Sequence, residues 1–176
     1  VNWYKRATTC FADLICGEPF KVTADPQKTA DRLIMENALI LKTYDVCMDM
    51  IRNGTGLFKA RFDKRGIIDV INPRLWYPVV SPDNKEFIAH VLAWSFKDGE
   101  SEYVRAEIHE RGKITNKLMV VEGGKLRGVP LTKFERYAKI PPIIETGVNE
   151  FLVVPVQNIL GSDGVFGMDD YSDMND

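Results

Sequence analysis

The chain has 176 residues, of which 45% are hydrophobic and 27% charged, with a formal net charge of −2 at pH 7. This composition is typical of a globular domain and excludes a disordered or membrane-embedded chain. The mild acidity argues against a surface that wraps a nucleic-acid backbone, because such surfaces need many Lys and Arg side chains. This mild acidity stays compatible with a DNA partner that is held loosely or repelled.

The N-terminal segment lacks the core of a signal peptide, because Asp13 interrupts its apolar run. No stretch reaches the roughly 18 consecutive apolar residues of a transmembrane helix. The three cysteines, Cys10, Cys16 and Cys47, have no close spacing, which favours buried thiols in a reducing compartment over a disulfide framework. We therefore expect a soluble protein that folds in a cytoplasm.

Two helices are predicted at the N-terminal end of the chain. The first spans about 4–16, and the second 27–52, with Asp25 as its N-cap and Pro26 in its first turn. The NGTG stretch at 53–56 should end the second helix, because Asn and Gly tolerate left-handed backbone. The apolar positions with helical spacing in the first helix are Ala7, Phe11, Leu14 and Ile15.

After residue 56 the apolar period changes to about two, which is the period of a β-strand. Turn signals recur at Arg65-Gly66, Asp98-Gly99, Arg111-Gly112 and Gly123-Gly124. The predicted strands are 57–63, 66–71, 75–80, 86–97, 102–110, 113–121 and 125–127. We expect an α+β fold in which the two helices pack on one antiparallel β-meander.

The predicted domain organisation has three segments: helical 1–56, a β-rich 57–130, and an extended 131–176 that ends with the start of a truncated helix. In the ending, GVFGMDDYSDMND, Asp169 or Asp170 can cap backbone N–H groups, and acidic residues favour the positive end of a helix dipole. The central Gly and terminal Glu of a calcium loop are absent from this register. A helix start is therefore predicted, with a weak divalent-cation site as the alternative.

Neither histidine comes with the clustered Cys, Asp or Glu of a metal or catalytic site. We expect His90 and His109 to be structural or exposed residues. In EIHER, Glu107 and His109 should share a strand face and form a surface pair, while Glu110 points to the other face.

Two further patterns do not predict a functional site, because the residues around them do not match the motif. Ser81 and Ser95 lack the surroundings of a nucleophile elbow. Gly54 and Gly56 imitate a phosphate-binding loop, but they follow a helix and not a strand. No catalytic, cofactor-binding or metal-binding residue is predicted.

Three stretches carry a family resemblance. They are KRATTCFADLICGEPFKV at 5–22, GTGLFKARFDKRGIIDVINPRLWYPVVSPDNKEFIAHVLAWSF at 54–96, and FLVVPVQNILGSDGVFGMDDYSDMND at 151–176. In this order they resemble the N-terminal and wing region of bacteriophage portal proteins. Family members are longer, and their stem, clip and crown follow the acidic helix start.

The resemblance implies a structural subunit of a head-tail connector ring, usually a dodecamer of the full-length protein, at one vertex of a phage head. The expected partners are other copies of the chain, the terminase, capsid and scaffold proteins, head-tail connector proteins and the double-stranded DNA that passes through the channel. The implied location is the virion, and the bacterial host cytoplasm during assembly. The family is not enzymatic, and neither a cofactor nor a membrane is implied.

Two other functions compete with this one. The first is a free-standing β-rich interaction module that uses exposed aromatic residues around Trp76 and Trp94. The second is a hydrolase with carboxylates drawn from Glu86, Glu100, Glu102 and Glu107. A charged outer face of the sheet explains these glutamates more simply than catalysis does.

Overall fold

The structure is a computed structural model and describes residues 2–171. Its fold class is α+β with antiparallel sheets, as predicted. By their contacts the described residues form two compact units, which lie within Val1–Pro73 with Val153–Asp176, and within Arg74–Leu152. The segments 1–56, 57–130 and 131–176 are a different division of the chain, and they stay a prediction about domain roles.

The first unit, here called the helical unit, begins with helices α1 (Trp3–Cys16), α2 (Gln27–Glu36) and α3 (Leu39–Asn53). The predicted first helix is confirmed, and its N-cap is Asn2, whose side chain accepts from the backbone N–H of Lys5. The predicted end at NGTG is also confirmed, because α3 stops at Gly54 with φ of 74°.

The single predicted helix 27–52 is wrong, because the chain breaks between α2 and α3. Ala38 has a left-handed backbone with φ of 47°, and Asn37 is buried. The Asn37 side chain donates to the backbone oxygens of Leu33 and Gly66 and accepts from the N–H of Ile68. These bonds to a distant strand stabilise a break that helical periodicity alone does not indicate.

The predicted cap at Asp25 is also wrong. Helix α2 starts at Gln27, after Pro26 in the N-cap position, and no side-chain cap bond is made there. The Gln27 amide holds the entering chain instead: it accepts from the N–H of Ala24 at 3.0 Å and donates to the oxygen of Val22 at 2.8 Å.

A three-stranded antiparallel sheet completes the helical unit, with order β2-β1-β9. Its strands are β1 (Thr55–Asp63), β2 (Arg65–Ile71) and β9 (Val153–Gln157), and a short ladder of β10 (Ile159–Leu160) with β11 (Gly167–Met168) follows. Helix α3 packs on β1. Fully buried residues of this core are Val46, Ile51, Leu57 and Val153.

Gly54 and Gly56 serve close packing. A Cβ atom on Gly54 would lie 1.9 Å from the backbone oxygen of Gly167, and one on Gly56 would lie 2.4 Å from that of Val46. Both positions therefore exclude a side chain, which explains the glycines without a phosphate.

The second unit, here called the meander unit, holds a six-stranded antiparallel sheet. Its strands are β3 (Trp76–Val80), β4 (Phe87–Asp98), β5 (Ser101–Glu110), β6 (Lys113–Glu122), β7 (Lys125–Val129) and β8 (Ile143–Glu145). They pair in the order β3-β4-β5-β6-β7, and β8 also pairs with β6.

All seven predicted strands are present, with ends within two residues of the prediction. The prediction of one continuous sheet is wrong, because β1 and β2 belong to the sheet of the helical unit. A short 3-10 turn at Pro73–Leu75 separates β2 from β3, and β9 supplies the neighbour on the other side of β1.

Three of the four predicted turns contain glycines with positive φ, at Gly99, Gly112 and the pair Gly123 and Gly124. The turn predicted at Arg65-Gly66 is misplaced, since Lys64 carries the positive φ of 59°. Gly66 lies within β2 opposite Phe62.

The passage after β7 contains a 3-10 turn, Leu131–Lys133, and the one-turn helix α4 (Glu135–Ala138). Leu131 belongs to a buried cluster with residues of β5 and β6, and aromatic residues pack around it. The cluster comprises Tyr103, Leu118, Val120 and Leu131, surrounded by Phe96, Val129, Phe134 and Tyr137. Among residues 2–171, no helix is both long and apolar enough to cross a membrane.

Candidate functional site

The two histidines are opposite each other on neighbouring strands and belong to the core. His90 of β4 pairs in register with His109 of β5, and both are at most 1% exposed. Trp76 Nε1 donates a hydrogen bond to His90 Nδ1 at 3.1 Å. Burial, with a smaller contribution from His109, lowers the pKa of His90 to about 4. At neutral pH His90 is therefore an uncharged hydrogen-bond acceptor.

Glu107 and His109 share a strand face as predicted, but their pair is not on the surface. The Glu107 Oε2 to His109 Nε2 distance is 3.2 Å, and the two side chains are only 15% and 1% exposed. The other carboxylate oxygen accepts from Arg105 at 3.0 Å. The prediction of a surface pair is wrong because residues 137–142 cover this face, with the Tyr137 ring beside Arg105 and the Pro141 oxygen bonded to Asn116. Glu110 pairs with Lys113 instead.

Arg105 connects this carboxylate to the proline-rich stretch. Its guanidinium donates to Asn116 Oδ1 at 2.9 Å, and Asn116 Nδ2 donates to the backbone oxygen of Pro141, also at 2.9 Å. The guanidinium also lies 5.3 Å from the centre of the Tyr137 ring. This network, here called the Arg105 network, fastens residues 137–142 to the sheet.

The Arg105 network contains groups that catalytic sites use, but a solute cannot reach His109 unless the strands separate. Arg105 Nε and His109 Nδ1 are buried and lack a hydrogen-bond partner among the described protein groups. The arrangement is therefore suited to specifying the packing of the meander unit.

The four glutamates considered for a hydrolase are not brought together. Glu102 and Glu107 lie five residues apart on β5, so they point to opposite faces and are separated by about 17 Å along the strand. Glu86 and Glu100 are exposed and lie outside the strands. Ser81 Oγ accepts the backbone N–H of Asp83.

Within the described chain, no three His, Cys, Asp or Glu side chains lie close enough together to hold a metal ion. The acidic ending uses its carboxylates in bonds to the protein instead. Asp163 accepts from the N–H groups of Val165 and Phe166, and Asp169 accepts from that of Tyr171 at 2.8 Å.

The bond at Asp169 confirms the predicted contact of an aspartate with a backbone N–H two residues on. The rest of the predicted helix start falls on residues 172–176, which lie outside the described residues. Tyr171 itself is anchored on α1: its ring packs edge-on against Tyr4, and its hydroxyl contacts the Thr8 hydroxyl and the Tyr4 backbone oxygen.

Helix α1 exposes most of its large apolar side chains. Leu14 is 77% exposed and Trp3 69%. We call this surface the α1 stripe, defined by Trp3, Tyr4, Phe11, Leu14 and Ile15.

Of the apolar positions with helical spacing, Phe11, Leu14 and Ile15 therefore lie on the exposed side of α1. The buried residues of α1 are Thr8 and Ala12, at 1% and 0% exposure. Thr8 and Ala12 are four residues apart and therefore lie on the same side of the helix, and α1 packs on α3. In the sequence, the four-residue spacing of the small residues Thr8 and Ala12 is the signal that indicates which side of α1 is buried.

Two other surface expectations are corrected. Of the three cysteines expected to be buried, only Cys47 is; Cys10 is exposed and Cys16 partly exposed. Trp76 is buried, and the Arg105 guanidinium lies 5.7 Å from the centre of the Trp94 ring. The expected exposure is thus wrong for Trp76, whereas Trp94 is half-buried and the neighbouring Tyr77 is 57% exposed.

Comparison with known proteins adds no family assignment. A scan against protein-family models gives no match to the chain, and a search of curated proteins finds no relative. A functional proposal therefore depends on the residues of the chain and on the α1 stripe.

Proposed function

We propose that this chain is a structural subunit of a bacteriophage portal ring, which forms the channel for DNA at one vertex of the phage head. In this role it contacts other copies of itself, and it docks the terminase, capsid and scaffold proteins, and the tail connector. The order of the three quoted stretches supports the proposal, and so does an α+β chain with a β-meander. The subunit itself performs no chemistry in this role.

The α1 stripe is the observation on which the proposal depends most. A short helix that exposes Trp3, Phe11 and Leu14 leaves several large apolar groups in water. Burying each such side chain is worth roughly 1.5–3 kcal/mol, and contiguous exposed apolar surface marks interaction sites. An assembly subunit has a use for this surface that a free monomer lacks.

A closed ring also constrains the kind of contact. Neighbours in a ring meet through two different surfaces, so the α1 stripe would pack against another part of the adjacent copy. An interaction module would use the same stripe for one unrelated partner, and it would not form closed rings of its own.

The test is the assembly state of the protein produced from its complete gene. We expect native mass spectrometry and negative-stain electron microscopy to show a closed ring with a central channel. A stable monomer or a twofold dimer at micromolar concentration would overturn the proposal in favour of the interaction module.

A matched pair of variants tests the α1 stripe. Leu14→Arg should reduce the fraction of protein in rings by tenfold or more, since it places a charge in the contact. Leu126→Arg makes the same change at an exposed leucine of β7 in the meander unit. Equal ring yield for wild type and Leu14→Arg would show that the stripe is not the contact.

A further inference from the structure

A row of side chains crosses the sheet of the meander unit on the face where Leu131 packs. The row runs in register from Phe96 of β4 through Tyr103 of β5 and Val120 of β6 to Arg127 of β7. Residues in register point to the same face of a sheet, and neighbouring strands lie about 4.8 Å apart. The row from Phe96 to Arg127 is therefore about 14 Å long.

Two further cations lie over this row. The Arg136 guanidinium is 4.2 Å from the centre of the Phe96 ring and 4.7 Å from that of Tyr137. Lys133 Nζ is 4.6 Å from the centre of the Tyr103 ring and donates to the Tyr103 hydroxyl at 2.6 Å. With Arg127 at the end of the row, three cations follow one line across the sheet.

We call this surface the basic ridge, defined by Lys125, Arg127, Lys133, Arg136 and Lys139. Lys125 shares a strand face with Arg127, and Lys139 follows Arg136 by three residues at the end of α4. The acidic residues on or beside the ridge are Asp98, Glu122 and Glu135. Five cations and three carboxylates leave a net charge of +2, opposite in sign to the −2 of the whole chain.

The arginines of the ridge differ in their pairing. Arg127 donates to both carboxylate oxygens of Glu122, at 2.9 and 2.7 Å, and these bonds, with Lys133 nearby, lower the pKa of Glu122. Arg136 is exposed, and within residues 2–171 it makes no ion pair and no side-chain hydrogen bond. Its N–H groups can therefore bind a carboxylate from outside the chain in the bidentate geometry that arginine favours.

We propose that the basic ridge binds the acidic segment 169–176 of a second copy of this chain. The segment, DDYSDMND, has four aspartates and neither Lys nor Arg, so its charge is complementary to that of the ridge. Eight residues measure about 12 Å as a helix and about 26 Å when extended. In either form the segment can follow most or all of the row.

The chemistry of the ridge favours an acidic polypeptide over the backbone of DNA. Three carboxylates on or beside the ridge would repel duplex DNA, which carries a charge about every 1.7 Å. The half-buried rings of Phe96, Phe134 and Tyr137 also offer apolar surface between the cations. Met174 lies among the aspartates of the segment, and a methionine sulfur makes favourable contacts with aromatic rings.

The contact would join two different surfaces of neighbouring copies, as a closed ring requires. The inference therefore rests on the proposed function for the identity of the second copy. It adds an electrostatic contact to the apolar contact of the α1 stripe.

The test measures binding of a fluorescein-labelled peptide, DDYSDMND, to the folded chain by fluorescence anisotropy. We expect saturable binding at low ionic strength that weakens about tenfold or more at about 0.5 M salt, where exposed charges are screened. A peptide with all four aspartates replaced by asparagine should bind at least about tenfold more weakly. This comparison leaves the protein unchanged, so it does not depend on the folding of a variant.

A matched pair of variants locates the binding surface. Arg136→Glu should weaken binding about tenfold or more. Lys117→Glu makes the same change of charge at an exposed residue of β6, three residues from Val120 and so on the opposite face of the sheet, and should leave binding unchanged. A peptide with Asp173→Arg should bind Arg136→Glu more tightly than the original peptide does.

Three results would overturn the proposal: no saturable binding to the unmodified chain, equal weakening by Arg136→Glu and Lys117→Glu, or tighter binding of a short duplex DNA that is lost in Arg136→Glu. The last would assign the ridge to a phosphate backbone. The peptide assay needs no ring, so the two proposals fail separately. Rings without peptide binding would remove only this inference, and peptide binding by a chain that stays monomeric would remove only the portal proposal.

Discussion

Asn37 Oδ1 accepts the backbone N–H of Ile68 at 2.8 Å, and Asn37 Nδ2 donates to the backbone oxygen of Gly66 at 3.1 Å. A side chain in the break between two helices thereby occupies the open edge of β2. The Lys42 ammonium group covers the next group along, the backbone oxygen of Ile68. The unpaired edge of a sheet can pair with another chain. The helix break places Asn37 on this edge, so the same residue that occupies the break also protects β2 from such pairing.

Replacing Asn37 by Ala should therefore destabilise the helical unit. The change leaves the N–H of Ile68 and the oxygen of Gly66 without this partner, at a cost of about 2 kcal/mol. Urea unfolding followed by helical circular dichroism measures the free energy. Asn149→Ala, at an exposed asparagine, is the control and should change it by less than about 0.5 kcal/mol. Equal stability of the two variants would show that the Asn37 bonds are not important.

Local signals in the sequence predicted most of the elements. Helix α1 and the seven strands follow from apolar period and turn residues, which act within a few neighbours. The break at Asn37 depends on bonds to residues about 30 positions away. The pairing of β1 with β9 joins residues almost 100 positions apart. Local period carries no information about either.

The candidate site was predicted less well for a related reason. Alternation along β5 places Glu107 and His109 on one face, but it does not reveal that residues 137–142 cover that face. Hydrophobicity along α1 favoured burial of Leu14, whereas the close contact with α3 selected the small residues Thr8 and Ala12. Which face of an element is covered depends on partners distant in sequence.

Because Arg105 is buried in its network, replacing it should lower the free energy of unfolding far more than replacing an exposed arginine. Arg105→Met leaves the Glu107 carboxylate buried without its strongest partner, and it should cost roughly 3 kcal/mol or more. Arg61→Met removes the ion pair with Asp69, whose side chains are 45% and 33% exposed, and should cost less than about 1 kcal/mol. Urea unfolding measures both changes.

A double variant checks the cause of the loss. Arg105→Met combined with Glu107→Leu removes both charges, and it should recover a substantial part of the stability lost in Arg105→Met. If the double variant is no more stable than Arg105→Met, the cost does not come from a buried carboxylate that has lost its arginine.

The buried His90 predicts a loss of stability as the pH falls. Its pKa is about 4 in the folded protein, against an ordinary value of 6.5, so the unfolded chain binds the proton more strongly. The stabilisation is complete above pH 6.5 and is lost as the pH falls from 6.5 towards 4. Between pH 6.5 and 5 the loss should be about 2 kcal/mol, at about 1.4 kcal/mol per pH unit.

His90→Gln isolates this contribution, because a glutamine oxygen can still accept from Trp76 Nε1 but does not titrate. Urea unfolding followed by tryptophan fluorescence at pH 6.5 and pH 5 should show a smaller pH dependence for the variant than for wild type. The same pH dependence in both proteins would assign the acid sensitivity to other groups.

The aspartates near residue 170 should act as hydrogen-bond acceptors and not as metal ligands. Asp169 accepts the N–H of Tyr171, and Asp170 accepts from the side chain of Asn158. A carboxylate that caps a backbone N–H is worth about 1 kcal/mol, so Asp169→Ala should lower stability by about that amount, and Asp169→Asn, which keeps an acceptor, by less. Isothermal titration calorimetry with millimolar calcium or magnesium should show no saturable binding. Tight binding that is lost in both Asp169→Asn and Asp173→Asn would instead establish a metal loop, with the carboxylates as its ligands.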